Sequence, residues 1–179
     1  MDDQQRAQLA LDTWQKCQTL LPPTIAAKLE PASGDPGPPG KKPDQLRIIR
    51  LRILPTRAHM LPAGFWNKTW CFYEIGVGSY GAGLCLGGVQ FLQFSRSCGD
   101  CKWLDAVSTI LKDLQPKRPG FLLEWEADRD APRPQLYTRY NAKPHRYFPV
   151  ALAAADLAWL IKQSLPRFEA LEPVPASSD

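Results

Sequence analysis

Histidine is scarce in this chain of 179 residues, which has only two, and cysteine comes as an odd five. A structural zinc site takes four ligands, usually in two close pairs. Cys98 and Cys101 make one pair, and only His59 and His145 stand elsewhere, so no bound metal is expected. There is no Gly-x-Ser-x-Gly elbow, Walker loop or dinucleotide fingerprint, so the matching hydrolase, nucleotide-binding and dehydrogenase classes have no motif to rest on. Gly76 to Gly83 has glycines at a phosphate-binding spacing, but it falls between two expected strands and lacks the helix N-terminus that such a loop feeds. No cofactor is expected, and a catalytic role is the weaker expectation.

Long apolar runs are also missing. The longest, Phe148 to Ile161, is interrupted by Asp156 and is too short for a bilayer span, so no membrane association is expected. Met1 to Arg6 has no signal-peptide character, and five cysteines do not pair off, which together lead to the expectation of a reducing, cytoplasmic setting. What is present is ordinary for one soluble domain: 44% hydrophobic residues, 22% charged residues and a formal charge of +4. That mild positive charge permits a polyanionic partner without requiring one.

Proline is abundant, with 18 residues, and it punctuates the chain. Residues 1–30 form an N-terminal helical segment: Ala10, Trp14, Cys17 and Leu21 recur at helical spacing, Asp2 and Asp3 suit the positive end of the dipole, and Thr24 to Leu29 adds one more turn. Residues 31–45 form a flexible, Pro/Gly-rich linker or loop. Residues 46–171 carry the α+β domain, within a chain that is a single domain overall, and residues 172–179 are a disordered tail.

Within that domain, Leu46 to Leu54 alternates apolar Ile49, Leu51 and Ile53 with Arg50 and Arg52, as a half-exposed strand does. Thr69 to Val77 and Gly83 to Phe94 form an antiparallel hairpin across a glycine-rich loop, with Gly87-Gly88 marking a bulge or a close approach. Trp103, Leu104, Val107, Ile110, Leu111 and Leu114 define one face of a middle helix. Phe121 to Asp128 and Gln135 to Tyr140 make a second hairpin, and Val150 to Phe168 a final alanine-rich helix. The expected fold is therefore α+β, two-layer, with an antiparallel five-stranded sheet, helices on one face and the order α-β-β-β-α-β-β-α. In that order the chain resembles the secretion-chaperone-like fold, a likeness of topology alone that implies nothing about activity.

Three surfaces attract a functional reading. Phe91 to Lys102, a strand delivering Cys98-Gly-Asp-Cys101 to a helix N-terminus, resembles the redox loop of thioredoxin-like proteins over these few dozen residues. The resemblance implies a favoured Cys98 thiolate and a resolving Cys101. The strand–helix–strand unit that precedes such a loop is absent, and the leading reading makes Ser97 or Asp100 a helix cap and the cysteines turn residues. Cys17, Cys71 and Cys85 fall in apolar periodic segments and are expected in the core. Glu124, Glu126 and Asp128 alternate along one strand as metal ligands would, yet a solvated strand face explains them better.

The second surface is basic and aromatic: Arg139, Tyr140, Lys143, His145, Arg146 and Tyr147, without an acid among them. Cations on a phosphate backbone and tyrosines on unpaired bases would suit a single-stranded nucleic acid. The third is the apolar loop carrying Met60, Leu61, Phe65 and Trp66, either a lid on the sheet or an anchor for a protein partner. The leading expectation is a non-catalytic cytoplasmic protein-binding domain, adaptor or chaperone-like, with a protein partner. A nucleic-acid-binding module comes second and a Cys-x-x-Cys thiol oxidoreductase third.

Overall fold

The computed structural model describes residues 2–32, 49–56, 69–77, 84–94, 109–114, 117, 121–128, 135–142 and 147–171. For residues 69–72 and for the strands between 84 and 148 the description is of the backbone. Helix α1 (Asp3–Leu20) begins with a capping box: Gln5 N–H donates to Asp2 Oδ1 at 2.8 Å and Asp2 N–H donates to Gln5 Oε1 at 2.9 Å. Its buried side is Ala10, Thr13, Trp14 and Cys17, and the Thr13 hydroxyl is satisfied by donating to the Leu9 carbonyl at 2.8 Å. A single turn, α2 (Pro23–Ala26), follows, opened by the proline whose missing N–H costs nothing at a first helical position.

The expected five-stranded sheet is not what the chain forms. Among the described residues seven strands make one antiparallel sheet: β1 (Leu29–Ala32), β2 (Ile49–Pro55), β3 (Thr69–Val77), β4 (Leu84–Phe94), β5 (Phe121–Asp128), β6 (Gln135–Ala142) and β7 (Tyr147–Phe148). The spatial order is β1-β2-β3-β4-β6-β5, and β7 also pairs with β4. Residues 29–32 therefore belong to a strand where the sequence suggests the end of a helical turn and the start of a linker. Four residues including Pro31 have no strand signal of their own, and it is pairing with β2 that makes them one. Two-residue β7 is equally illegible, because a period of two needs more than two positions to show. The element order changes with these additions, and the hairpin β3–β4 carries the bulge that Gly87-Gly88 suggests: Glu74 lies across from Gly88 but Ile75 from Leu86, leaving Gly87 as the extra residue.

Helix α3 (residues 109–114) buries Ile110, Leu111 and Leu114 and exposes Lys112 and Asp113. The final helix, α4 (Val150–Glu169), buries a stripe that includes Ala153, Ala154, Leu157, Ile161, Leu165 and Phe168. Helices α1 and α4 pack together, α1 over β2 and β3 and α4 over β4. One cluster, running from Ala10 through Ile53 and Ile75 to Phe168, joins α1, α3 and α4 to β1, β2 and β3, so the N-terminal segment shares the core of the sheet. Two ion pairs tie down the end of α4: Lys28 Nζ to Glu169 Oε1 at 2.9 Å, and Arg167 to Asp113 Oδ2 at 2.7 Å.

Candidate functional site

Cross-strand partners in a sheet stand on the same face, so the registers can be read as rows. One row runs Pro31, Ile53, Tyr73, Val89, Tyr140, Leu123 across six strands. It shares the face on which the Tyr73 hydroxyl meets Ser164 Oγ of α4 at 2.7 Å. Because Ser164 gives its own proton to the Leu160 carbonyl at 2.6 Å, Tyr73 is the donor of that buried bond. The opposite face carries charge at β2 and β3: Arg52 stands across from Glu74, and Arg50 Nε lies 3.6 Å from Glu74 Oε1.

That charged face is not bare at its centre. Glu74 is only 4% exposed although it points away from α1 and α4, and Gly76 beside it is buried too. A carboxylate is rarely so enclosed unless a cation or donors attend it, and Arg50 supplies one such group. A signal for this was present in the sequence. Trp70, Phe72 and Gly76 share the parity of Glu74, while Cys71, Tyr73, Ile75 and Val77 hold the other, so both faces of the strand read as apolar around a single charge.

The basic-aromatic candidates are divided by the pleat. Arg139 and Tyr140 are neighbours in β6 and so take opposite faces. Tyr140 is in the row of Tyr73, whereas Arg139 lies in the row Phe72, Gln90, Arg139, Glu124, directly across from an acid. Tyr147 is in β7, across from Cys85. Lys143, His145 and Arg146 lie outside the described residues, as do Cys98 and Cys101 and the loop residues Met60, Leu61, Phe65 and Trp66.

Among the described side chains, Cys17 is a free thiol in the core. Burial pushes its pKa from 9.0 up to about 12, with the Lys162 charge working weakly in the other direction. A thiol held neutral in this way is a packing group, not a nucleophile. Among the described residues no group of three His, Cys, Asp or Glu could hold a metal ion, and no helix is long and apolar enough to cross a membrane.

The feature that the rows bring out is the contrast between the ends of the sheet. At one end is β1; just before it the Lys28 carbonyl accepts from the N–H of Thr56, which follows β2, at 2.8 Å, so the Lys28–Thr56 position continues the β1–β2 register as a hydrogen-bonded one. Such pairs alternate, which makes Glu30↔Leu54 hydrogen-bonded and Pro31↔Ile53 not. The nitrogen of Pro31 therefore faces outward, and the outer edge of β1 lacks a donor where one would stand. By the same alternation the nitrogen of Pro55 faces the β3 side, and the β2–β3 register ends at Ile53. At the other end is β5, eight residues long with no proline, which among the described residues pairs on one side only.

No family model matches this chain, and neither a curated protein nor a solved structure matches it.

Proposed function

We propose that this chain is a non-catalytic protein-binding domain, adaptor-like or chaperone-like, that takes its partner as an added strand on β5. The observation that carries the reading is the unequal treatment of the two sheet ends. An unpaired strand edge presents a row of N–H and C=O groups to any extended chain, and proteins commonly block it with proline, shortness or charge. β1 is blocked twice, by Pro31 and by its length of four residues. β5 runs for eight residues, Phe121 to Asp128, so about four of them turn their main-chain groups outward, and none is a proline. Main-chain bonds then supply affinity and alternate side chains supply selectivity.

The partly enclosed charged face around Glu74 moves the reading from the broad face of the sheet to its edge. The apolar residues Met60, Leu61, Phe65 and Trp66 remain a second anchor for the same partner. A single-stranded nucleic acid is a poorer fit, because Arg139 and Tyr140 belong to opposite faces.

The test is a selection of random peptides against the full chain, followed by amide hydrogen exchange with and without a selected peptide. Binders should slow exchange along β5 and leave β1 unchanged. Peptides that bind tightly while protecting neither edge would mean that strand addition is not how this protein works.

A further inference from the structure

The acidic pattern of β5 is matched at only one position on its inner side. Glu124, Glu126 and Asp128 occupy alternate positions and so one face, and the β6 residues across from them are Arg139, Tyr137 and Gln135. Only the first of these is a cation. An incoming strand on the outer side would lie across from all three acidic positions, one after another. From this juxtaposition we infer that the occupant of the β5 edge is an extended segment in which lysine or arginine alternates with apolar residues, basic positions on the face of Glu124, Glu126 and Asp128, apolar ones on the face of Leu123 and Trp125.

The inference rests on the strand-addition reading above and adds the chemistry of the partner. The alternation follows from the pleat, since residues two apart share a face and those one apart do not. Opposite charges across a ladder are favourable and like charges unfavourable. That rule also disposes of a second copy of this chain as the occupant. Two β5 strands paired antiparallel with matching faces put carboxylates opposite carboxylates wherever the acidic stretches meet: Glu124 against Glu126, Glu124 against Asp128, Glu126 against Asp128, or one residue against its own copy. A register that avoids this by one residue sets the acidic face of one strand against the apolar face of the other.

Four synthetic ten-residue peptides test the idea on the full chain: valine alternating with lysine, valine alternating with glutamate, valine alternating with threonine, and the lysine peptide with all its backbone nitrogens methylated. The lysine peptide should bind at least about tenfold more tightly than the glutamate peptide at low salt, with the gap narrowing as salt rises. Backbone methylation should abolish binding, because it removes ladder donors and leaves the side chains in place. Glu126→Gln with Asp128→Asn should narrow the preference for lysine without preventing binding of an uncharged valine-threonine strand. Equal affinity for the lysine and glutamate peptides, with methylation still abolishing binding, would overturn the charge assignment and leave strand addition standing. Binding that survives methylation would overturn strand addition itself, and absence of binding by every peptide would overturn both. Sedimentation showing a dimer whose β5 amides are protected would assign the edge to a second copy instead.

Discussion

The two ends of the sheet solve the same problem differently. At the β1 end the chain is short, interrupted by Pro31 and held by Lys28–Glu169, next to strands lying under α1 and α4. At the β5 end a longer strand carries three carboxylate positions and one charged cross-strand neighbour for them. The difference teaches that edge status is a property of neighbours: β5 has an alternating sequence like any half-buried strand, and it is the spatial order β4-β6-β5 that leaves its outer side unpaired among the described residues.

The largest effect that would break the comparison is at the anchored end. Phe168 is 1% exposed in the last turn of α4, and Phe168→Ala should cost about 3–5 kcal/mol in urea unfolding. If β1 depends on the helix layer, its amide protection should fall with the same change. A loss below about 1 kcal/mol would mean that α4 does not hold this end of the sheet.

A second measurement uses Cys17, buried in the same layer, as a reporter. Below pH 9.0 the thiol is neutral in both folded and unfolded chains and contributes no pH dependence. Between 9.0 and about 12 the unfolded chain gives up the proton while the folded chain keeps it, so the folded state binds more protons and stability falls as pH rises. The contribution reaches at most about 1.4 kcal/mol per pH unit and flattens above the folded value. Cys17→Ala should remove that part of the slope when urea midpoints are compared across this window. An identical slope in both proteins would show that the thiol ionises as easily folded as unfolded.

The smallest expected effect on stability would sharpen the comparison most directly. Pro31→Thr restores an outward N–H on β1 at a position where the proline is exposed, and the change in stability should stay within about 0.5 kcal/mol. The edge should then lose its block. Sedimentation should reveal self-association, or hydrogen exchange should reveal peptide protection at β1, that the parent chain lacks. A variant that stays monomeric and binds nothing at β1 would mean that shortness alone guards this edge.

Much of the fold was legible because it depends on local period. Leu51 and Ile53 alternate with arginines, Ile110, Leu111 and Leu114 share a helical face, and the alanine-rich stripe of α4 repeats at helical spacing, so each element declares the side it will bury. Gly87-Gly88 likewise marks the bulge, since a backbone without Cβ atoms accommodates the extra residue most cheaply. β1 and β7 were not legible, and the count of strands was wrong on their account. Leu29–Ala32 becomes a strand only through pairing with residues 20 or more positions away.

The candidate surface divides along the same line. That Glu124, Glu126 and Asp128 share one face, and that Arg139 and Tyr140 do not, follows from the two-residue repeat of an extended chain and needs no coordinates. Which residues stand across from them does not follow, because register is set by pairing between strands remote in sequence. Sequence alone determined the helical stripes, the alternating strands and the punctuation by proline and glycine, each a consequence of backbone geometry acting over a few residues. Only tertiary structure decided that Pro31 faces outward, that Glu74 is enclosed beside Arg50 and that β5 lies at the end of the sheet, because burial and edge position depend on which distant segments pack and pair.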